Sequence, residues 1–327
     1  MSVPVAVLGA GAWGTALAIA AARQGPVRLW ARDPQRAETI ARTRENARLL
    51  PGARLPAAVD VTADARAALA GAAFAILAVP AQPLAAVLAT LPQALPPLIV
   101  AAKGVEQGTL RLPLETVAAL RPGLPAGVLT GPTFAHEVAA GLPAAALVAA
   151  ADPALPALVL PRLGSALFRL YAGEDPVGAQ VGGAAKNVVA IAAGAVIGAG
   201  LGENARAALV TRGLAEIGRL AVALGGRRET VAGLSGLGDL MLTCTGARSR
   251  NFSLGLALGE GKRLPDILAG RAGVTEGVAT APALLARAQA AGVEMPIVAA
   301  VAAVLAGEAS VAEAMRALMA RPLRAEG

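Results

Sequence analysis

Apolar and polar positions follow two different rhythms along this chain. Through the first half, short unbroken apolar runs alternate with segments of helical spacing. Residues 3–8 form such a run and 13–23 read as a helix. Residues 26–30 form a second run and 34–45 a second helix. Further runs at 74–79, 98–101 and 128–130 predict three more strands, and 144–149 and 167–171 predict strands toward an edge. Strands buried on both faces read as continuous apolar runs, and strand–helix alternation predicts an α/β, parallel, doubly wound sheet.

From about residue 176 the strand-like runs stop. Long Ala, Val, Leu and Gly segments take over, with charged residues at helical spacing over 204–224, 281–291 and 297–305. This predicts an all-helical second domain. The expected division is 1–178 and 179–327, with the junction inside 172–185; a length of 327 residues suits two domains. Between residues 67 and 102 no charge appears before Lys103, which is length enough for a spanning helix. Pro80, Pro83, Pro92, Pro96 and Pro97 interrupt any such helix, so strand–loop–helix units are expected, without stable membrane insertion.

The junction of the first run and the first helix carries Gly9-Ala10-Gly11-Ala12-Trp13-Gly14. A G-x-G-x-x-G at that place is the fingerprint of a Rossmann-type dinucleotide site. Gly9 permits the turn, Gly11 lets backbone approach a pyrophosphate, and Gly14 lets helix and strand pack closely. The helix N-terminus offers free N–H groups and partial positive charge to phosphate. After the second run the chain reads Trp30-Ala31-Arg32-Asp33-Pro34-Gln35-Arg36. Asp33 suits the 2′-hydroxyl of NAD or the N-cap of the next helix; Arg32 and Arg36 suit the 2′-phosphate of NADP. The basic pair tips the reading toward NADP, with dual use open.

Composition narrows the rest. The net charge is +7, from 29 basic and 22 acidic residues, but the basic residues are dispersed and aromatics make up 2%. Nucleic acid is therefore not an expected partner; a phosphorylated metabolite and a dinucleotide are. Cys244 is the sole cysteine, which excludes an internal disulfide and suits a reducing compartment. The start, Met1-Ser2-Val3-Pro4-Val5, has no basic leader, and a cytoplasmic protein is expected. One cysteine and one histidine, His136, do not make a zinc site. His136 lacks a serine in a nucleophile elbow, and the phosphate-loop-like 259–263 has Leu256 and Arg263 where that motif needs Gly and Ser/Thr.

Four segments are the candidates for chemistry: Lys103 with Gly104; Gly131-Pro132-Thr133; Lys186 within Gly183-Ala184-Ala185-Lys186-Asn187; and Gly238-Asp239-Leu240 continuing to Arg248-Ser249-Arg250-Asn251. The first two lie just past predicted strands, where open α/β sheets bind ligands. Lys186 sits among apolar and small residues, so burying it demands a partner.

With these motifs the chain resembles the bacterial NAD(P)-dependent glycerol-3-phosphate dehydrogenases, nearly end to end. The likeness runs from Gly9 through Lys186-Asn187-Val188-Val189, Asn204 to Gly213, and Gly238-Asp239-Leu240 with Ser249-Arg250-Asn251, to Val274-Thr275-Glu276-Gly277. The resemblance implies reduction of dihydroxyacetone phosphate by NADPH or NADH, feeding phospholipid synthesis. It implies Lys186 as the catalytic acid–base group. Lys103, Gly131, Thr133, Lys186, Asp239, Ser249, Arg250 and Asn251 match substrate contacts. Ala12, Trp13, Arg32, Lys103, Ala135, Arg250, Val274 and Glu276 match cofactor contacts, beside Gly9, Gly11 and Gly14. No metal site is implied. Residues 273–280 are less typical of the family than the other motifs, and His136 stands where many relatives have lysine. A nearby cation, Lys103, and burial are expected to lower the Lys186 pKa, with Asp239 opposing. A homodimer is expected from the apolar helical half. Two other readings compete: a two-domain hydroxy-acid dehydrogenase, and a silent dinucleotide-sensing protein. The first is disfavoured by a phosphate-binding Arg250, the second by intact Lys186, Lys103 and Asp239.

Overall fold

The computed structural model describes residues 3–246, 248–271 and 273–322. Met1 and Ser2 of the chain start, Ala247 in the candidate segment, Ala272, and 323–327 of the second half lie outside them. In chain order the first half runs β1 (Val5–Leu8), α1 (Ala12–Ala21), β2 (Val27–Trp30), α2 (Pro34–Thr43), β3 (Val59–Thr62), α3 (Ala65–Leu69), β4 (Ala75–Leu77), α4 (Leu84–Thr90), β5 (Leu98–Val100), α5 (Pro113–Leu120), β6 (Ala126–Thr130), α6 (Ala135–Ala140), β7 (Ala144–Ala150), α7 (Ala154–Leu163) and β8 (Phe168–Gly173).

These strands form one sheet in the order β3-β2-β1-β4-β5-β6-β7-β8. The first six are parallel in the Rossmann order, with the reversal between β1 and β4. Both faces are covered. Val5, Val7, Leu29, Ile76 and Ile99 pack into one core layer, while Ala6, Leu8, Ala75, Leu77, Leu98 and Val100 pack into the other. Successive strand residues point to opposite faces, so double burial makes each run apolar throughout.

The structure corrects the expected sheet in two places. A strand at 59–62, Val-Asp-Val-Thr, forms the β3 edge; only Val59 is buried, so its pattern is too polar to read as a buried run. And the sheet is not parallel throughout: β7 pairs antiparallel to β6, and β8 then runs parallel to β7. After β6 the six-residue α6 ends at Gly141 in the left-handed region, and two residues later the chain re-enters the sheet antiparallel to β6. The ten-residue α7 does return the chain, and β8 lies parallel beside β7.

The second half is helical: α8 (Pro176–Gly198), α9 (Gly202–Ala223), α10 (Arg228–Ala232), a π-helical turn (Leu234–Gly238), α11 (Asp239–Cys244), α12 (Arg250–Gly259), α13 (Leu264–Ala269), α14 (Glu276–Ala290), α15 (Pro296–Ala306) and α16 (Val311–Met319). Asp175 caps α8, accepting from Gly178 N at 2.8 Å, and Pro176 opens its first turn. Buried from Gly178 to Ala193, α8 is the axis of this half. Among the described residues it is the one helix long and apolar enough to cross a membrane, and most of it is buried inside the protein. Residues 67–102, by contrast, fold as α3, β4, α4 and β5.

Glycines set how closely the neighbours of α8 approach. A Cβ on Gly194 would stand 2.0 Å from Phe252 O, and one on Gly255 would stand 1.9 Å from Ile191 O. Gly198 and Gly259 repeat the arrangement one turn on, against Leu256 O and Ala195 O. Helices α8 and α12 thus meet backbone to backbone, which brings Asn251 beside Asn187. Gly255→Ala should force the helices apart and lower stability by about 1–3 kcal/mol or more. Urea unfolding checks this; an unchanged midpoint would show that the glycine contact does not set the spacing. On α9, buried Glu216 accepts from Ile297 N at 2.8 Å and caps α15 across the bundle. Burial pushes its carboxyl up to about 7, against the two backbone N–H groups of α15.

Candidate active site

The carboxyl ends of β1, β5 and β6 open on one side of the sheet. There the first glycine loop meets the helical half. Gly9 has φ +116°, and a Cβ on it would strike Ala78 O at 2.7 Å; a Cβ on Gly14 would strike Gly9 O at 1.9 Å. Only glycine fits either position. At Gly11 the Cβ direction is open, with no atom within 4 Å, and α1 begins without a side-chain cap or an acidic residue in its first turn. An uncapped helix start behind an open glycine is the cradle a pyrophosphate needs, so the residues present fit a dinucleotide. Trp13 meets Phe168 edge-on at 6.4 Å. Ala12, Trp13 and Ala135 each pack against the same core layer. At the end of β2, Asp33 caps α2, accepting from Gln35 N at 3.0 Å, while Arg32 is exposed.

A compact polar cluster lies where β5 and β6 face α8 and α11. Asp239 is its hub and is 1% exposed. Its Oδ1 accepts from Lys186 Nζ at 2.6 Å and its Oδ2 accepts from Lys103 Nζ at 2.6 Å. Lys103 also donates to Gly131 O at 3.1 Å, and Thr133 Oγ1 donates to that same carbonyl at 3.1 Å. Lys186 donates to Thr243 Oγ1 at 2.9 Å, while Thr243 donates its own proton to Asp239 O at 2.6 Å. Two of the three ammonium protons of Lys186 are thus assigned, and one is left for a ligand.

Close approach makes the cluster possible. A Cβ on Gly183 would stand 2.9 Å from Thr130 Oγ1, and one on Gly182 would stand 2.8 Å from Ser235 O. Glycine at both places lets α8 lie against β6 on one side and the π-helical turn on the other. That turn delivers Asp239 to the start of α11.

Electrostatics follow from burial and these pairs. Burial lowers the Lys186 pKa to about 8, Asp239 opposes the shift and Lys103 adds to it. Burial alone would push the Asp239 carboxyl up, but Lys103 and then Lys186 outweigh it and hold it below its ordinary value. Cys244 lies buried nearby, and burial pushes its thiol up to about 12, which leaves it protonated and inert.

A hydrogen-bonded relay ties this cluster to the second motif. Gly277 N donates to Asn251 Oδ1 at 3.0 Å, Asn251 Nδ2 to Asn187 Oδ1 at 2.8 Å, and Asn187 Nδ2 to Lys103 O at 3.1 Å. Ser249 caps α12, its hydroxyl accepting from Phe252 N at 3.2 Å. Arg250 is exposed at the first turn of α12, and its guanidinium reaches Gly273. Val274 is exposed beside it. Glu276 opens α14, its Oε1 accepting from Ala81 N at 3.3 Å. Its Oε2 is buried beside Gly104 without a partner among the described residues, and burial pushes its carboxyl up to about 7. Ala81 follows β4, so Glu276 joins the glycine-loop side of the sheet to Lys103 and Gly104.

Of the sequence candidates, Lys103, Gly131, Thr133, Lys186 and Asp239 converge directly, and Asn251 reaches them through Asn187. Ser249 contributes its hydroxyl to a helix cap, and Arg250 lies at the rim. Two members were missed, Asn187 and Thr243. Asn187 adjoins Lys186, and Thr243 follows Asp239 by one helical turn, a spacing that puts both on one face. His136, exposed, stacks on Phe134 at 5.7 Å and lies 2.6 Å from Arg248 Nη1, away from the lysine cluster's hydrogen bonds.

Comparison with known proteins agrees across the whole length. Residues 4–155 match the NAD-dependent glycerol-3-phosphate dehydrogenase N-terminus and residues 175–316 the C-terminus of the same family. The chain is 52% identical to the glycerol-3-phosphate dehydrogenase [NAD(P)+] of Rhodospirillum rubrum, over 99% of this chain and 94% of the relative. It is 53% identical to a protein of the same description from a Bradyrhizobium species, over 98% of each. The solved glycerol-3-phosphate dehydrogenase from Coxiella burnetii superposes with a TM-score of 0.93 at 38% identity, covering 98% of this chain and 99% of that one.

Proposed function

Because the chain belongs to the NAD-dependent glycerol-3-phosphate dehydrogenase family, we propose that Lys186 is the acid–base group of a reversible reduction of dihydroxyacetone phosphate to sn-glycerol 3-phosphate. The observation that carries this reading is the buried Lys186 ammonium, held by Asp239 and Thr243 with one proton left to give.

NADPH or NADH, when bound, supplies the hydride to the carbonyl carbon. The carbonyl π pair then moves onto oxygen, and that oxygen takes a proton from Lys186 Nζ. Negative charge develops on the oxygen as it does so, and the fixed ammonium groups of Lys186 and Lys103 stabilise it. Asp239 keeps both ammonium groups in place, and Thr243 fixes the direction of Lys186. Arg250 takes the substrate phosphate through its planar fork, assisted by the N-terminus of α12. Ser249, Asn251, Gly131 and Thr133 shape the substrate pocket. Gly9, Gly11, Ala12, Trp13 and Gly14 cradle the cofactor, with Arg32, Ala135, Val274 and Glu276 along its length. A cytosolic homodimer, working for glycerophospholipid synthesis, belongs to the same proposal, as does the division into a dinucleotide domain of residues 1–178 and a helical substrate domain of residues 179–327.

The test is the loss of reduced-nicotinamide absorbance with dihydroxyacetone phosphate and each cofactor in turn. Turnover supports the reading; cofactor binding without turnover, or turnover of hydroxy acids instead, overturns it. A pH dependence follows from Lys186. Reduction requires the protonated lysine, so its kcat/KM should hold at neutral pH and fall as pH rises through about 8. Oxidation of glycerol 3-phosphate requires the neutral lysine, so its kcat/KM should rise through the same region and level off above it. Opposite limbs meeting near one pKa identify a single group; two parallel profiles would remove Lys186 from the role.

A further inference from the structure

Behind the glycine loop lies a second polar cluster that touches no part of the lysine site. Arg36 Nη2 donates to Ala10 O and, at 3.2 Å, to Asn46 Oδ1. Asn46 Nδ2 donates to the same Ala10 O at 3.0 Å and to Thr15 Oγ1 at 2.8 Å. Thr15 Oγ1 in turn donates to Gly11 O at 2.8 Å. Asn46 is 2% exposed and Thr15 is fully buried. The cluster joins α2, the loop that follows it, and the start of α1.

Its geometry acts on the two peptides that face a pyrophosphate. A trans peptide points its C=O and its N–H in opposite directions. Two donors on Ala10 O therefore fix the plane of the Ala10–Gly11 peptide and aim the Gly11 N–H the other way. Thr15, by holding Gly11 O, does the same for the Ala12 N–H. Gly11 faces open space at its Cβ position, which leaves room for a ligand beside these N–H groups. Loop peptides without such anchors adopt many orientations, and glycines on both sides of Ala10 make this loop especially free. Preorganising backbone donors removes that ordering cost from binding.

From these contacts we infer that Arg36 and Asn46 are positioning residues that lock the dinucleotide loop for NADH and NADPH alike, and that Arg36 is not a ligand of the 2′-phosphate. This gives the cationic pair after β2 a division of labour. Arg36 is turned under the loop, Asp33 is engaged as the α2 cap, and Arg32 alone is left exposed to meet the 2′-substituent. The inference rests on the dinucleotide reading of the site.

The experiment is fluorescence titration of NADH and NADPH into the unmodified protein and into Arg36→Met, Arg36→Lys, Asn46→Asp and Arg32→Ala, with the KM of each cofactor measured alongside. Arg36→Met and Asn46→Asp should each weaken both cofactors by the same factor, roughly tenfold, as loss of a buried hydrogen bond does. The change should fall in cofactor KM rather than in kcat. Arg36→Lys should recover much of the affinity, because an ammonium still donates to Ala10 O. Arg32→Ala should weaken NADPH selectively. If Arg36→Met weakens NADPH alone, Arg36 is a phosphate ligand and the inference fails. Unchanged affinity for both in Arg36→Met and Asn46→Asp also overturns it. Should one of these two not fold, the other and Arg36→Lys carry the comparison. Failure of the unmodified protein to bind either cofactor would instead reject the dinucleotide reading itself.

Discussion

Lys186→Ala should reduce kcat for dihydroxyacetone phosphate reduction by about 10³- to 10⁴-fold while leaving cofactor binding near its original strength. The size follows from what is removed. A positioned general acid contributes about 10²- to 10⁴-fold, and the same ammonium also stabilises the developing oxyanion. The fold should survive the substitution: Asp239 keeps Lys103 as its counter-ion, so no buried charge is stranded. Steady-state kinetics with a parallel cofactor titration separates the terms. A variant within about tenfold of the unmodified protein would move the acid role elsewhere, Lys103 first.

Asp239→Asn should be the most damaging single change to the folded state. Its carboxylate lies 2.6 Å from each of two lysine nitrogens and is almost completely buried. Without the negative charge, Lys186 is a buried cation beside a second cation. Breaking a buried pair from one side costs about 3–5 kcal/mol, and urea unfolding should report a loss of that order. Lys186 has one escape, which is to give up its proton. Its pKa, already lowered to about 8, should therefore fall further, and the acid limb of reduction should move to lower pH. The sign for stability is fixed by linkage. A lysine whose folded pKa lies below its unfolded value binds fewer protons folded than unfolded between the two, so stability recovers as pH rises through that range. The deficit of the variant should thus be largest at neutral pH and below. A stable variant with an unshifted pH profile would mean that the carboxylate does not govern Lys186.

Both results depend on one feature that no linear pattern contains. Lys103, Lys186 and Asp239 come from a loop after β5, the middle of α8 and the start of α11, and they meet at hydrogen-bonding distance. As a sequence, Lys186 was an anomaly, a charge among small apolar residues. Its partner could be named by resemblance but not located. The site's reach into Asn187 and Thr243 shows the same gap, since neither residue type announces itself without a neighbour to bond.

The alternation of strands and helices in the first half, the dinucleotide loop and the helical second half are all legible in the linear chain. Each of these is a local signal: double burial makes a strand uniformly apolar, Gly9 and Gly14 occupy places where a Cβ collides with backbone, and helical spacing repeats every turn. The remaining features arise from contacts between segments distant in the chain. β7 joined the sheet antiparallel to β6, a direction set by where the chain leaves α6 at Gly141 and not by the apolar run of β7 itself. A polar edge strand formed at 59–62 because β2 offered it a partner, not because its own pattern required it. Arg36 went beneath the loop rather than toward a ligand, because Ala10 O and Asn46 stood within its reach. Side chains choose partners by distance in space, and the glycines of α8 set those distances by letting β6, the π-helical turn and α12 come within backbone contact.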